Sequence, residues 1–281
     1  MKKSFLFVSF VIFISLAIGC NKNATKVPSE TPSEETFKKI EMVTNKGTIV
    51  LKLYNKTPYH RDNFLNLAKN KAFDSLLFHR VISTFMIQAG DPDSRTATKN
   101  DTLGEGDAPY TVKAEFHDSL FHKKGVLAAA RDNNPERASS AMQFYIVQGK
   151  VFNDSLLLLA EERINKGKAI RDYKKNGAYI SLIDSLDSAM NKPDYQKYYA
   201  IQDSIWNIAK KDSTFIRYTI PEYQRTIYKT EGGTPHLDQN YTVFGEVIEG
   251  LHVVDSIASV STNALDRPKK DVRILTTKLL Q

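Results

Sequence analysis

Apolar and polar residues alternate with a period of two at both ends of the folded part of this chain. In its middle they recur at a period near 3.6, so strands are expected to flank helices. From Ile40, "IEMVTNKGTIVLKLY" alternates on both sides of Asn45-Lys46-Gly47, a turn signal that predicts a hairpin. Thr57-Pro58 reads as a cap followed by proline at the first helical position, and Phe64, Leu65 and Ala68 give that helix an apolar face. "FHRVISTFMIQAGD", Phe78 to Asp91, predicts two short strands joined by a tight turn. "LGEGDAPYTVKAEF" is rich in Gly and Asp and predicts a loop. Its Gly104 and Gly106 lack the strand–turn–helix setting of a nucleotide site. "GVLAAAR" from Gly125, "AMQFYIVQG" from Ala141 and "TVFGEVI" from Thr242 are further strand-like runs. "GLHVVDSIA" reads as a second short helix and "DVRILTTKLL" as a final strand. Many short strands with turn punctuation and two flanking helices predict a mainly β protein built as a closed β-barrel.

Between residues 151 and 229 the texture changes. Tyr179, Leu182, Ile183, Leu186 and Met190 fall at helical spacing, as do Tyr198, Ile201, Ile205 and Ile208. "DSLLLLAEERINKGKAIRDYKK" reads as a further helix with Asp154 as its N-cap. The segment is expected to be an α-helical insertion whose apolar stripes pack on one another or on the barrel. A groove for a partner is the alternative use of the same stripes.

The first twenty residues differ in kind. Two lysines precede an unbroken apolar run from Phe5 to Ile18, the layout of a secretory signal and shorter than a membrane span. The run ends at Gly19-Cys20, and Cys20 is the only cysteine. "LAIGC" resembles a bacterial lipobox, although Ala17 stands where leucine is usual. That resemblance implies lipidation of Cys20 and, with several acyl chains, stable anchoring where one chain would be marginal. Residues 21–37 are polar, rich in Ser, Thr, Pro and Glu, and aperiodic, as expected of a flexible tether. The expected location is the bacterial cell envelope, lipid-anchored and facing the periplasm.

Composition narrows the functions further. The formal net charge of +7 is modest and its basic residues are interleaved with acidic ones, which argues against nucleic-acid binding. His117 and His122 flank "DSLF" without a further ligand cluster, so no metal is expected. No G-x-S-x-G elbow is present to support hydrolysis. Arg80 and Gln88 are then the unexpected residues, two polar side chains set in an apolar strand pair.

Four segments together resemble the cyclophilin-type peptidyl-prolyl isomerases: the opening hairpin, "FHRVISTFMIQAGD", "GVLAAARDNNPERASSAMQFYI" and "TPHLDQNYTVFGEVIEGLHVVDSI". The resemblance covers residues 38–150 and 230–281. It implies a closed eight-stranded antiparallel barrel capped by two helices, forming one isomerase domain over 38–281 interrupted by the insertion. It implies that Arg80 is the catalytic arginine, assisted by Gln88. Phe85, Met86, Tyr145 and Leu237 match pocket residues, and Gln143 matches the family's glutamine. Ala130 and Arg131 fall where the family pairs its backbone with the bound peptide. His236 and Tyr241 stand where many eukaryotic members have tryptophan and histidine, and both departures resemble bacterial relatives. The implied substrates are proline-containing polypeptides undergoing folding after export, with no cofactor and a monomeric chain. A chaperone or peptide-binding module with little turnover is the alternative, motivated by the insertion lying just before Leu237.

Overall fold

The computed structural model describes residues 37–280; the signal, Cys20 and nearly all of the tether lie outside the described residues. Strands β1 (Lys38–Thr44) and β2 (Gly47–Leu53) form the expected hairpin, with Thr44 opposite Gly47. A side chain is excluded at Gly47, where a Cβ would lie 2.7 Å from Val253 and φ is +135°.

Helix α1 (Pro58–Lys69) begins where Pro58 predicts, but Thr57 makes no side-chain capping bond. Glu115 does that work from across the chain. Its carboxylate accepts the backbone N–H groups of Tyr59 at 3.1 Å and His60 at 3.0 Å. A negative charge at these first-turn amides also suits the helix dipole.

Strands β3 (Arg80–Ile82) and β4 (Met86–Ala89) follow as a hairpin. Two-residue β5 (Thr111–Val112) later pairs with β7 (Ser139–Ser140), while β6 (Val126–Ala129) pairs with β8 (Phe144–Val147). Four helices come next: α2 (Asp154–Asn176), α3 (Ile180–Asn191), α4 (Tyr195–Ala209) and α5 (Glu222–Thr230). The chain then returns through β9 (Val243–Glu249), α6 (Leu251–Ala258) and β10 (Ile274–Leu280).

The eight longer strands make one antiparallel sheet in the order β10-β1-β2-β9-β6-β8-β4-β3. It is strongly curled but open, which corrects the expectation of a closed barrel. The two edges are joined only by a Leu77–Arg273 bridge and scattered backbone bonds, such as Phe78 N–H to Val272 C=O at 2.8 Å. The cause is local. β3 has only three residues, and the stretch before it meets the opposite edge through one bridge rather than a ladder.

Inside the curl, Ile40, Met42, Ile49, Leu51 and Leu53 meet Phe64 and Leu65 of α1 and Val253, Val254 and Ile257 of α6. Burial of this many large apolar side chains is the main stabilising term. Ile87 belongs to this core, while its neighbour Met86 packs in a separate cluster on the outer face with Tyr145 and Leu237. The period-two alternation of β4 therefore divides one strand between core and site.

The inserted helices carry a core of their own. Ile183 and Leu186 of α3 and Ile205 and Trp206 of α4 pack on Ala169 and Tyr173 of α2, whereas Tyr179 and Met190 from the predicted stripes stay exposed. Asn153 rather than Asp154 is the N-cap of α2, its side chain accepting from the Leu156 N–H at 2.9 Å. The segment leaves and returns side by side: Lys150 and Gly233 exchange backbone hydrogen bonds of 3.3 and 3.0 Å.

Candidate active site

The β3–β4 register sets Arg80 opposite Gln88, so both side chains emerge on the outer face of the sheet. Arg80 Nη1 donates to Gln88 Oε1 at 3.4 Å, and Gln88 Nε2 donates to Gln143 Oε1 at 2.9 Å. Gln143 Nε2 in turn donates to the carbonyls of Gly104 and Gly106, each at 2.8 Å. This chain fixes which end of each amide faces its neighbour. Gln88 must present its oxygen to the guanidinium because its nitrogen is taken. The long 3.7 Å contact of Arg80 Nε with Asp266 is exposed on both sides and holds the arginine weakly.

Beside Arg80 lies a cavity of about 160 Å³. Met86, Tyr145 and Leu237 form its buried floor, and Phe85, Ala130 and Tyr241 its walls. Arg80, Gln88 and Arg131 make the polar edge. Nine of the eleven expected site residues thus line one cavity. The N–H and C=O of Ala130 are both engaged by the fold, with Gln143 and Ser140. Among the described residues the backbone of Arg131 makes no such bond, which leaves it the better placed of the two for an extended ligand.

The other two expected residues stand one layer back. Gln143 is buried and reaches the cavity only through Gln88. His236, expected at the pocket rim, stacks on Phe85 with ring centroids 5.6 Å apart and 22° between planes. Burial, with the nearby charges of Arg163, His122 and Lys150, lowers its pKa to about 4. The ring is neutral at pH 7 and serves as an apolar backing for the Phe85 wall.

Beneath the floor runs a polar network that sequence reading misses. Asp238 accepts from the His122 backbone N–H at 2.9 Å and from its Nδ1 at 2.8 Å; its other oxygen accepts Tyr228 O–H at 2.7 Å. With Nδ1 donating to Asp238, the other ring nitrogen, His122 Nε2, is hydrogen-bonded to Tyr145 O–H, 2.9 Å away. Every member is buried, and burial raises the Tyr145 hydroxyl pKa well above its ordinary value. The phenol thus stays neutral and locked by its bond, and the ring face that floors the cavity cannot swing. Because 116 residues separate His122 from Asp238, no local motif could have announced the pair.

Comparison with known proteins bears on this arrangement. A family model described as cyclophilin type peptidyl-prolyl cis-trans isomerase/CLD matches residues 39–159 and 210–279. A protein of Staphylococcus haemolyticus that carries a peptidyl-prolyl cis-trans isomerase name is 31% identical over 237 residues, 84% of this chain and 88% of its own. A bifunctional phosphatase/peptidyl-prolyl cis-trans isomerase, by name, from Streptococcus pyogenes serotype M6 is 27% identical over 96% of this chain. The chain spans only 44% of that relative's length. A crystal structure of a Cryptosporidium parvum cyclophilin type isomerase superposes with a TM-score of 0.51 at 15% identity, covering 88% of this chain and 99% of that one, which speaks for the fold alone.

Proposed function

This chain belongs to the cyclophilin-type peptidyl-prolyl cis-trans isomerases, and we propose that its Arg80 cavity turns X–Pro bonds of polypeptides exported to a bacterial cell envelope. The observation that carries the site assignment is a guanidinium aimed by a chain of amides at the mouth of an apolar pocket. Isomerisation is slow because a planar amide must lose its resonance, a barrier of about 20 kcal/mol. No bond to a new atom is formed, so neither nucleophile nor proton shuttle is called for. As the C–N bond twists, the proline nitrogen pyramidalises and gains lone-pair density. Arg80 supplies N–H donors to it that stay charged at any ordinary pH. Met86, Tyr145, Leu237 and Phe85 hold the pyrrolidine ring while the acyl side rotates, and Gln88 and the Arg131 backbone hold the peptide. Such contacts accelerate the reaction because they are better in the twisted state than in either planar one.

One charge-assisted hydrogen bond contributes about 1.5–3 kcal/mol. Arg80→Ala should therefore lower kcat/KM on an X–Pro peptide by about 10- to 100-fold in an exchange-NMR or protease-coupled assay. An Arg80→Ala enzyme that matches the parent would sink the assignment. The envelope location rests on the signal-like run and the lipobox-like stretch ending at Cys20. It predicts acyl labelling that disappears in Cys20→Ser, and labelling that persists would refute it.

A further inference from the structure

Three arginines converge on the loop that carries pocket residue Tyr241. Arg131 Nε donates to Asn240 C=O at 2.9 Å, and its guanidinium lies 4.9 Å from the centre of the Tyr241 ring. Arg137 Nη1 donates to Gln239 C=O at 2.6 Å and sits over the Phe116 ring. Arg171, from α2, donates to the side-chain oxygen of Asn240 at 3.0 Å. All three are half-buried, and among the described residues none has a carboxylate within ion-pair distance. Asp172 faces the group, but its carboxylate is bonded to Lys168 Nζ at 2.5 Å. Each arginine spends only one or two of its five N–H donors on the protein.

Burial first and mutual repulsion second make two of the three more acidic than an ordinary arginine. Burial and then the charge of Arg137 bring the Arg171 pKa down to about 10, and burial and then Arg131 lower that of Arg137. Like charges gathered without a counterion in a half-buried place are unfavourable until an anion arrives. The fold has nevertheless gathered them on the Gln239–Asn240 stretch that leads into pocket residue Tyr241. Arg131 lines that cavity itself, and Arg171 comes from a helix stretch outside the residues the family model matches.

We propose that Arg131, Arg137 and Arg171 form a subsite for an acidic side chain, so that preferred substrates carry a carboxylate close to their proline. The proposal rests on the isomerase reading of the same cavity and adds to it a substrate class. The arginine fork matches a carboxylate with two parallel N–H···O bonds, which a neutral amide of the same shape cannot answer in full. The inserted helices thereby acquire a part in substrate choice through one residue of α2.

Two peptide series test this on the purified full chain. Each has an Ala–Pro core with Glu, Gln or Ala at the residue before the pair or after it, and exchange NMR reads kcat/KM. Glu should exceed Gln about tenfold in at least one series at low salt, and the ratio should shrink as salt is added. The ratio should fall toward one in the Arg137→Gln/Arg171→Gln double variant and persist in Arg171→Lys. Should the double variant fail to fold by circular dichroism, Arg171→Gln alone is read in the same way. Equal handling of Glu and Gln by the parent in both series overturns the proposal, as does a ratio that the glutamine variant leaves unchanged. Failure of the isomerase reading looks different: the parent then accelerates not even the Ala peptides, and both readings fall together.

Discussion

His79, the neighbour of Arg80, should make the protein markedly less stable as the medium turns acidic. Its side chain is 4% exposed and neither ring nitrogen has a hydrogen-bond partner. Burial, with Arg80 and Arg267 nearby and Asp91 opposing them, lowers its pKa from 6.5 to about 4. Between those values the unfolded chain takes up a proton that the folded chain refuses. Stability due to this group is therefore complete above pH 6.5 and drains away as the pH falls toward 4. Linkage through these two values gives a loss of about 2 kcal/mol between pH 7 and pH 5. His79→Gln keeps a polar side chain that does not titrate. Urea unfolding of both proteins at pH 7 and pH 5 isolates the effect. The parent should lose about 2 kcal/mol more than the variant over this interval. Equal losses would show that His79 can be protonated in place, and the reasoning from burial would be wrong.

Two further outcomes follow from the bonds around the cavity. Gln143→Leu removes the acceptor that orients Gln88, and should lower kcat/KM on a neutral X–Pro peptide several-fold, the worth of about 1 kcal/mol; an unchanged rate would mean that Gln88 needs no such guide. Tyr228→Phe strips a donor from the buried Asp238 and should cost about 1–3 kcal/mol in urea unfolding, whereas a variant as stable as the parent would show that the carboxylate finds another donor.

What could be read from the chain was whatever repeats or matches over short distances. The alternation of Met86, Ile87 and Gln88 assigns each side chain to its face, and the structure agrees residue by residue. Arg80 and Gln88 stand out in sequence because polar residues in an apolar hairpin require a reason. Pairings remote in sequence were not legible. Glu115 caps a helix that starts more than fifty residues earlier, while the adjacent Thr57 leaves its capping role unfilled. His236 lies next to Leu237, yet a short 3-10 turn, Pro235–Leu237, sends the imidazole onto Phe85 and the leucine side chain into the pocket floor. Closure of the barrel is not legible either, because a count of strands says nothing of their length, and three residues in β3 are too few to zip the edge.

The bridge between Lys150 and Gly233 has a consequence for how the chain tolerates change. Backbone meets backbone there so closely that a Cβ on Gly149 would sit 2.5 Å from Gly233 Cα. The ends of the helical segment are therefore tied to each other, and the returning end is tied as well to the stretch before β6, where Lys124 N–H donates to Gly232 C=O and Thr234 N–H to His122 C=O. That makes the pair a splice point, where a folded unit of different size can be exchanged provided its termini meet at one hydrogen-bonded pair. One condition attaches. Tyr228 lies on the inserted side of the splice and reaches Asp238 under the cavity, so a replacement segment must bring its own hydroxyl to that carboxylate or leave the pocket floor unbraced.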